Sequence, residues 1–76
     1  MVNLDELDQA IATAELFTDD FTVARLQRNL RIGYSIAARL TERMEEMEIL
    51  SSPDNKHQRK VNHEAIAKYR GGAGNA

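Results

Sequence analysis

The sequence predicts one small domain, mainly α-helical with a small β-hairpin near its C-terminal end. Three observations carry this. Apolar residues recur at helical spacing over three separate segments. A lone glycine, Gly33, sits between the second and third of them. A Pro53-Asp54-Asn55 turn is followed by a basic cluster. The 76 residues allow one domain and no large α/β enzyme architecture. With no cysteine there is no disulfide framework, thiolate nucleophile or thiolate metal site. The longest apolar run is three residues, too short to span a membrane, and the acidic start lacks the basic and apolar regions of a secretory signal. The expected compartment is the cytoplasm, for a free-standing protein or a piece of a larger one.

In the first helical segment Leu4, Leu7, Ile11 and Ala14 form one stripe. Asn3 is the expected cap, with Glu6 as its reciprocal partner. The pattern decays at Phe17-Thr18-Asp19-Asp20, and Phe21-Thr22-Val23 reads as a loop or short extended stub. Thr22 then caps a second helix with Val23, Leu26 and Leu30 inward. Gly33 is expected at positive φ, closing that helix and turning the chain. Ser35 is the expected cap of a third helix running to about Met47, with Ala37, Leu40, Met44 and Met47 inward. Residues 49–61 read as a hairpin with a basic tip. Asn62 caps a last helical stretch in which Ile66 and Tyr69 share a side. The expected organisation is a domain over 1–62, a helical extension over 63–70 and a flexible tail over 71–76. Three helices and a hairpin, the second and third helix joined by a glycine-containing turn, is the order of a winged helix-turn-helix. The chemistry of that order is duplex DNA contact.

The formal net charge of −2 conceals alternating blocks. Residues 1–20 carry six acids and no base. Residues 21–43 carry five arginines against Glu42, residues 44–50 three glutamates, and residues 51–76 five bases against Asp54 and Glu64. One face is therefore expected to be strongly positive on a nearly neutral molecule. The candidate DNA contacts are Arg28, Arg31, Tyr34, Ser35, Ile36, Arg39 and Arg43 around the third helix. In the hairpin they are Lys56, His57, Arg59 and Lys60. His57 and His63 without a cysteine make a poor zinc set. Gly71-Gly72-Ala73-Gly74 follows no strand and opens no helix, so it is no phosphate loop. Neither catalysis nor a cofactor is expected.

From Leu26 to Leu40 the sequence LQRNLRIGYSIAARL resembles the gamma domain at the C-terminus of FtsK/SpoIIIE-type DNA translocases, where this stretch reads close to LQRRLRIGYNRAARL. Met44-Glu45, Ile49-Leu50, Pro53 and Arg59-Lys60-Val61 continue it, so the similarity spans roughly residues 16–61. The resemblance implies a winged helix that reads short, G-rich, polar DNA sequences and contacts a Xer-type tyrosine recombinase, with the ATPase in a separate motor domain. The family's Asn-Arg pair is Ser35-Ile36 here. Isoleucine lacks arginine's bidentate bond to guanine and suits a thymine methyl, which leaves Arg39 as the guanine reader. Two alternatives stand beside DNA reading. One is a protein-docking winged helix using its acidic first helix and hairpin. The other is a small dimeric regulator pairing through Ile66 and Tyr69.

Overall fold

The computed structural model describes residues 4–74, with side chains over 6–71. Among the described residues four helices follow one another: α1 (Leu4–Ala14), α2 (Val23–Leu30), α3 (Tyr34–Glu46) and α4 (His63–Gly74). The expected cap Asn3 lies outside the described residues. The first three helices pack on each other around a core of Leu7, Ala10, Ile11, Ala14, Phe21, Leu26, Ala37, Leu40 and Met44. Ile49, Leu50, Val61 and Ile66 close it from the C-terminal side, and Leu30, expected in the core, packs half-buried against it.

Among the described residues the buried polar side chains are paired. Thr13 Oγ1 donates to the Gln9 carbonyl (3.0 Å) and accepts from Asn29 Nδ2 (2.9 Å), which ties α1 to α2. Thr41 Oγ1 donates to the Ala37 carbonyl at 2.8 Å. Each is a buried hydroxyl that would otherwise cost the helix packing on it.

The turn between α2 and α3 differs from expectation. Thr22 caps α2, its hydroxyl accepting from the Arg25 amide at 3.1 Å. The left-handed residue is Arg31 (φ 56°, ψ 48°), and Gly33 is extended (φ −72°, ψ 164°). The reason lies in the closing hydrogen bond. The Ile32 amide reaches back to the Gln27 carbonyl (3.2 Å), which requires the left-handed residue directly after Leu30. Gly33 instead takes the backbone of an N-cap for α3 without a side chain to bond, and Ser35, the expected cap, lies inside the first turn. Glu48 (φ 65°) repeats the left-handed closure after α3, with the Ile49 amide on the Met44 carbonyl.

The expected β-hairpin does not form as strands. The described residues hold two isolated antiparallel bridges, Phe21↔Arg59 and Leu50↔Val61. The return arm divides its hydrogen bonds between two neighbours. Arg59 exchanges both backbone bonds with Phe21, and the Val61 amide donates to the Thr18 carbonyl. On the other side, the Lys60 carbonyl accepts from the Ser51 amide and the Asn62 amide donates to Ile49. The Lys60 amide is satisfied by Ser51 Oγ (2.9 Å) rather than by a backbone carbonyl, so no continuous ladder develops.

Asn62 caps α4 as expected, its Oδ1 accepting from the Ala65 amide. The helix continues past Arg70 to Gly74, over residues read as the start of a tail. It is fastened to α1 and the loop after it. His63 Nε2 donates to the Phe17 carbonyl (3.0 Å), Tyr69 Oη donates to Asp8 (3.2 Å), and Arg70 pairs with Glu15 at 2.6 Å. Burial, and then the Asp8 carboxylate, hold the Tyr69 phenol above its usual range. Ile66 is in the core and Tyr69 packs against it. The apolar pair expected to serve a dimeric regulator is therefore used within the chain.

Leu40→Ala should cost about 2–5 kcal/mol, measured by denaturant unfolding, because it empties a fully buried position of a small core. Gly33→Ser should raise stability by about 0.5–1 kcal/mol. A Cβ there meets open space and the hydroxyl gains an N-cap position. A loss on that substitution would mean the position needs a left-handed backbone.

Candidate nucleic-acid interface

The outward face of α3 follows from its inward one. With Ala37, Leu40, Thr41 and Met44 buried, Ser35, Arg39, Glu42 and Glu46 fall opposite, with Ile36 and Arg43 beside them. All six are exposed, and so is Tyr34. The face is divided in charge. From Tyr34 to Thr41 there is no acid, whereas Glu42, Glu45 and Glu46 crowd the second half. Arg43 is drawn into that half by an exposed pair with Glu46 at 3.1 Å, too solvated to hold it firmly.

Helix α2 carries Arg25 and Arg28 and no acid. Arg31, exposed at the left-handed cap, stands at the junction of α2 and α3. Arg25, Arg28, Arg31 and Arg39 thus form a run from residue 21 to residue 41 without a counter-charge in sequence. Among the described residues Arg28, Arg31 and Arg39 make no ion pair. The Arg25 guanidinium lies over the Phe17 ring, 5.5 Å from its centroid, which keeps its charge while fixing its place.

The tip of the 49–62 excursion is a built turn. Asp54 Oδ1 accepts from the amides of Lys56 (2.8 Å) and Gln58 (2.9 Å), and the Asp54 amide donates to the Gln58 carbonyl. Those two bonds, Gln58 first, hold the Asp54 carboxyl below its ordinary range. Its charge is spent on the backbone, and the exposed Lys56 and Lys60 make no ion pair among the described residues. His57, exposed at φ 64°, completes the turn.

Arg59, an expected DNA contact, is engaged within the chain. Its Nη1 donates to Glu45 Oε1 at 2.6 Å and to the Ser51 carbonyl at 3.1 Å, and its side chain is only 12 % exposed. It binds the return arm to the second half of α3. The same contact, followed by the Ser52 hydroxyl, holds the Glu45 carboxyl below its usual range.

A sequence profile of the Ftsk gamma domain matches residues 3–64. The chain belongs to that family. It is also 40% identical over 57 residues to the DNA translocase FtsK of Clostridium tetani (strain Massachusetts / E88). That match takes in 75% of this chain and 8% of the relative, so the chain corresponds to a small part of the translocase's length. No solved structure matches.

In this gamma domain the structure exposes Arg28 on α2, Arg31 at its cap, and Tyr34, Ser35, Ile36 and Arg39 in the first half of α3. It places Lys56, His57 and Lys60 at the excursion and withdraws Arg59. Sequence reasoning missed Arg25 and Glu45. Arg25 belongs to the same acid-free run, and that was its available signal. Glu45 gave none, because its partner lies fourteen residues away across a turn. Among the described residues no helix is long and apolar enough to cross a membrane.

Glu45→Gln tests the bracing contact. A carboxylate whose folded pKa is lowered adds stability above its unfolded value of about 4.3 and loses it as pH falls through the folded value. The parent should melt above Glu45→Gln near neutral pH, and the two midpoints should converge in acid. A gap that stays constant from neutral to strongly acid pH would remove the ionic part of the contact.

Proposed function

We propose that the chain is a winged helix-turn-helix domain that binds duplex DNA, with the first half of α3 in the major groove and the 49–62 excursion against the backbone. The observation that carries this is the acid-free run of exposed arginines through α2 and the first half of α3. A positive surface of this kind attracts phosphates and releases their counterions. The groove-facing half carries side chains suited to base edges, while the glutamates stand in the other half of the same helix. The double-sided pairing of the return arm supports the winged arrangement, since it joins residues 18–21, 59–62 and 49–51 side by side.

Within this reading Arg39 contacts a base, the fork of its guanidinium matching guanine O6 and N7. Arg28, Arg31, Lys56 and Lys60 contact phosphates, which set register without reading sequence. Tyr34, Ser35 and Ile36 line the entry to the groove. In this reading the domain does no chemistry of its own and reads short sequences in the cytoplasm on behalf of a larger machine; a relative named a DNA translocase supports the DNA contact. The alternative, docking of a basic protein on the acidic first helix, has less in its favour: Asp8 and Glu15 are already engaged by α4.

Duplex binding measured over a range of salt concentrations tests the proposal. Arg39→Ala should cost about 1–3 kcal/mol on a preferred sequence and little on a scrambled one. Lys60→Ala should weaken both alike and lower the salt slope by about one. Absence of binding to any duplex at low salt would overturn the reading and favour docking.

A further inference from the structure

The described residues expose three large apolar side chains: Leu16, Tyr34 and Ile36. Two of them stand in the first turn of α3. A single exposed aliphatic residue is ordinary on a protein surface. Ile36 is less so, because neither packing nor local preference accounts for it. It is 41% exposed, so it adds little to the core, and a β-branched residue is a poorer helix former than the straight-chain residues available. It occupies the acid-free half of the helix, one turn before Arg39.

We infer that Ile36 is a specificity-determining residue that selects thymine through its 5-methyl group, close to the base pair contacted by Arg39. The inference rests on the DNA-binding reading above and names which base the first turn of α3 recognises. The chemistry is direct. The thymine methyl is the one apolar feature on the major-groove edge of a base pair, and aliphatic side chains are its natural contacts. Ile36 has no hydrogen-bonding group with which to read any other feature. Its branched side chain has few rotamers, so it presents a fixed apolar surface at little entropic cost. Three residues of helix rise about 4.5 Å, close to the spacing of neighbouring base pairs, so Ile36 and Arg39 address adjacent or next-adjacent positions.

The test uses the 76-residue chain and a duplex library randomised over twenty base pairs. The enriched duplex is remade with each thymine replaced in turn by uracil, which removes the methyl and leaves every hydrogen-bonding group in place. At one position uracil should weaken binding about fourfold, the scale of burying one such group. Ile36→Ala should bind the thymine and uracil duplexes equally, and Ile36→Val should keep the discrimination. Equal binding of every uracil duplex by the parent, or discrimination retained by Ile36→Ala, overturns the inference while DNA binding stands. Duplex binding with no enriched sequence overturns it likewise. No binding to any duplex overturns the DNA-binding reading and this inference with it.

Discussion

The Arg59–Glu45 contact fixes the relation between the two parts of the candidate interface. Helix α3 and the 49–62 excursion are joined covalently by a left-handed turn at Glu48, which by itself leaves the excursion's angle undetermined. The 2.6 Å contact, with the same guanidinium on the Ser51 carbonyl, sets that angle. The backbone of Arg59 completes the task on its other side by pairing with Phe21, whose ring is buried against Phe17 in an edge-on contact 6.0 Å between centroids. One residue therefore ties together α3, the outgoing arm and the segment between α1 and α2. The bases of the tip are held at a defined place relative to the first turn of α3 because Arg59 is committed to these contacts.

Much of this was legible in the sequence, and the limits follow from the range of the interactions. The inward stripes of α1, α2 and α3 were plain because period 3.6 is a local signal and three short helices supply most of the core. Thr22 and Asn62 were readable as caps for the same reason. Gly33 misled because its permissiveness marks where a left-handed residue is cheap, not where the hydrogen bond of a helix end demands one. That demand fell on Arg31. The hairpin was misjudged because strand ladders depend on partners distant in sequence. Phe21, thirty-eight residues from Arg59, takes half of the bonding that a simple hairpin would keep for itself. The exposure of the arginines of α2 and α3 followed from their local pattern, whereas the engagement of Arg59 depends on Glu45.

Charge is arranged by position and by engagement together. The acidic block at the start of the chain is the largest single-sign run in the sequence, yet α4 binds two of its members through Tyr69 and Arg70. In the tip Asp54 is occupied by backbone amides. At the far end of α3 Glu45 is occupied by Arg59 and Ser52. Asp8, Glu15, Asp54 and Glu45 are in this way engaged by partners within the chain, whereas Arg28, Arg31 and Arg39 make no ion pair among the described residues.

The extended backbone of Gly33 has a practical consequence. The space where its side chain would stand is open, and the position immediately precedes α3. The chain contains no cysteine, so one placed there is chemically unique. A fluorophore, spin label or photocrosslinker attached at that point sits at the start of α3 without displacing a core atom. It converts a misleading glycine into an address from which the approach of a partner to α3 can be observed in solution.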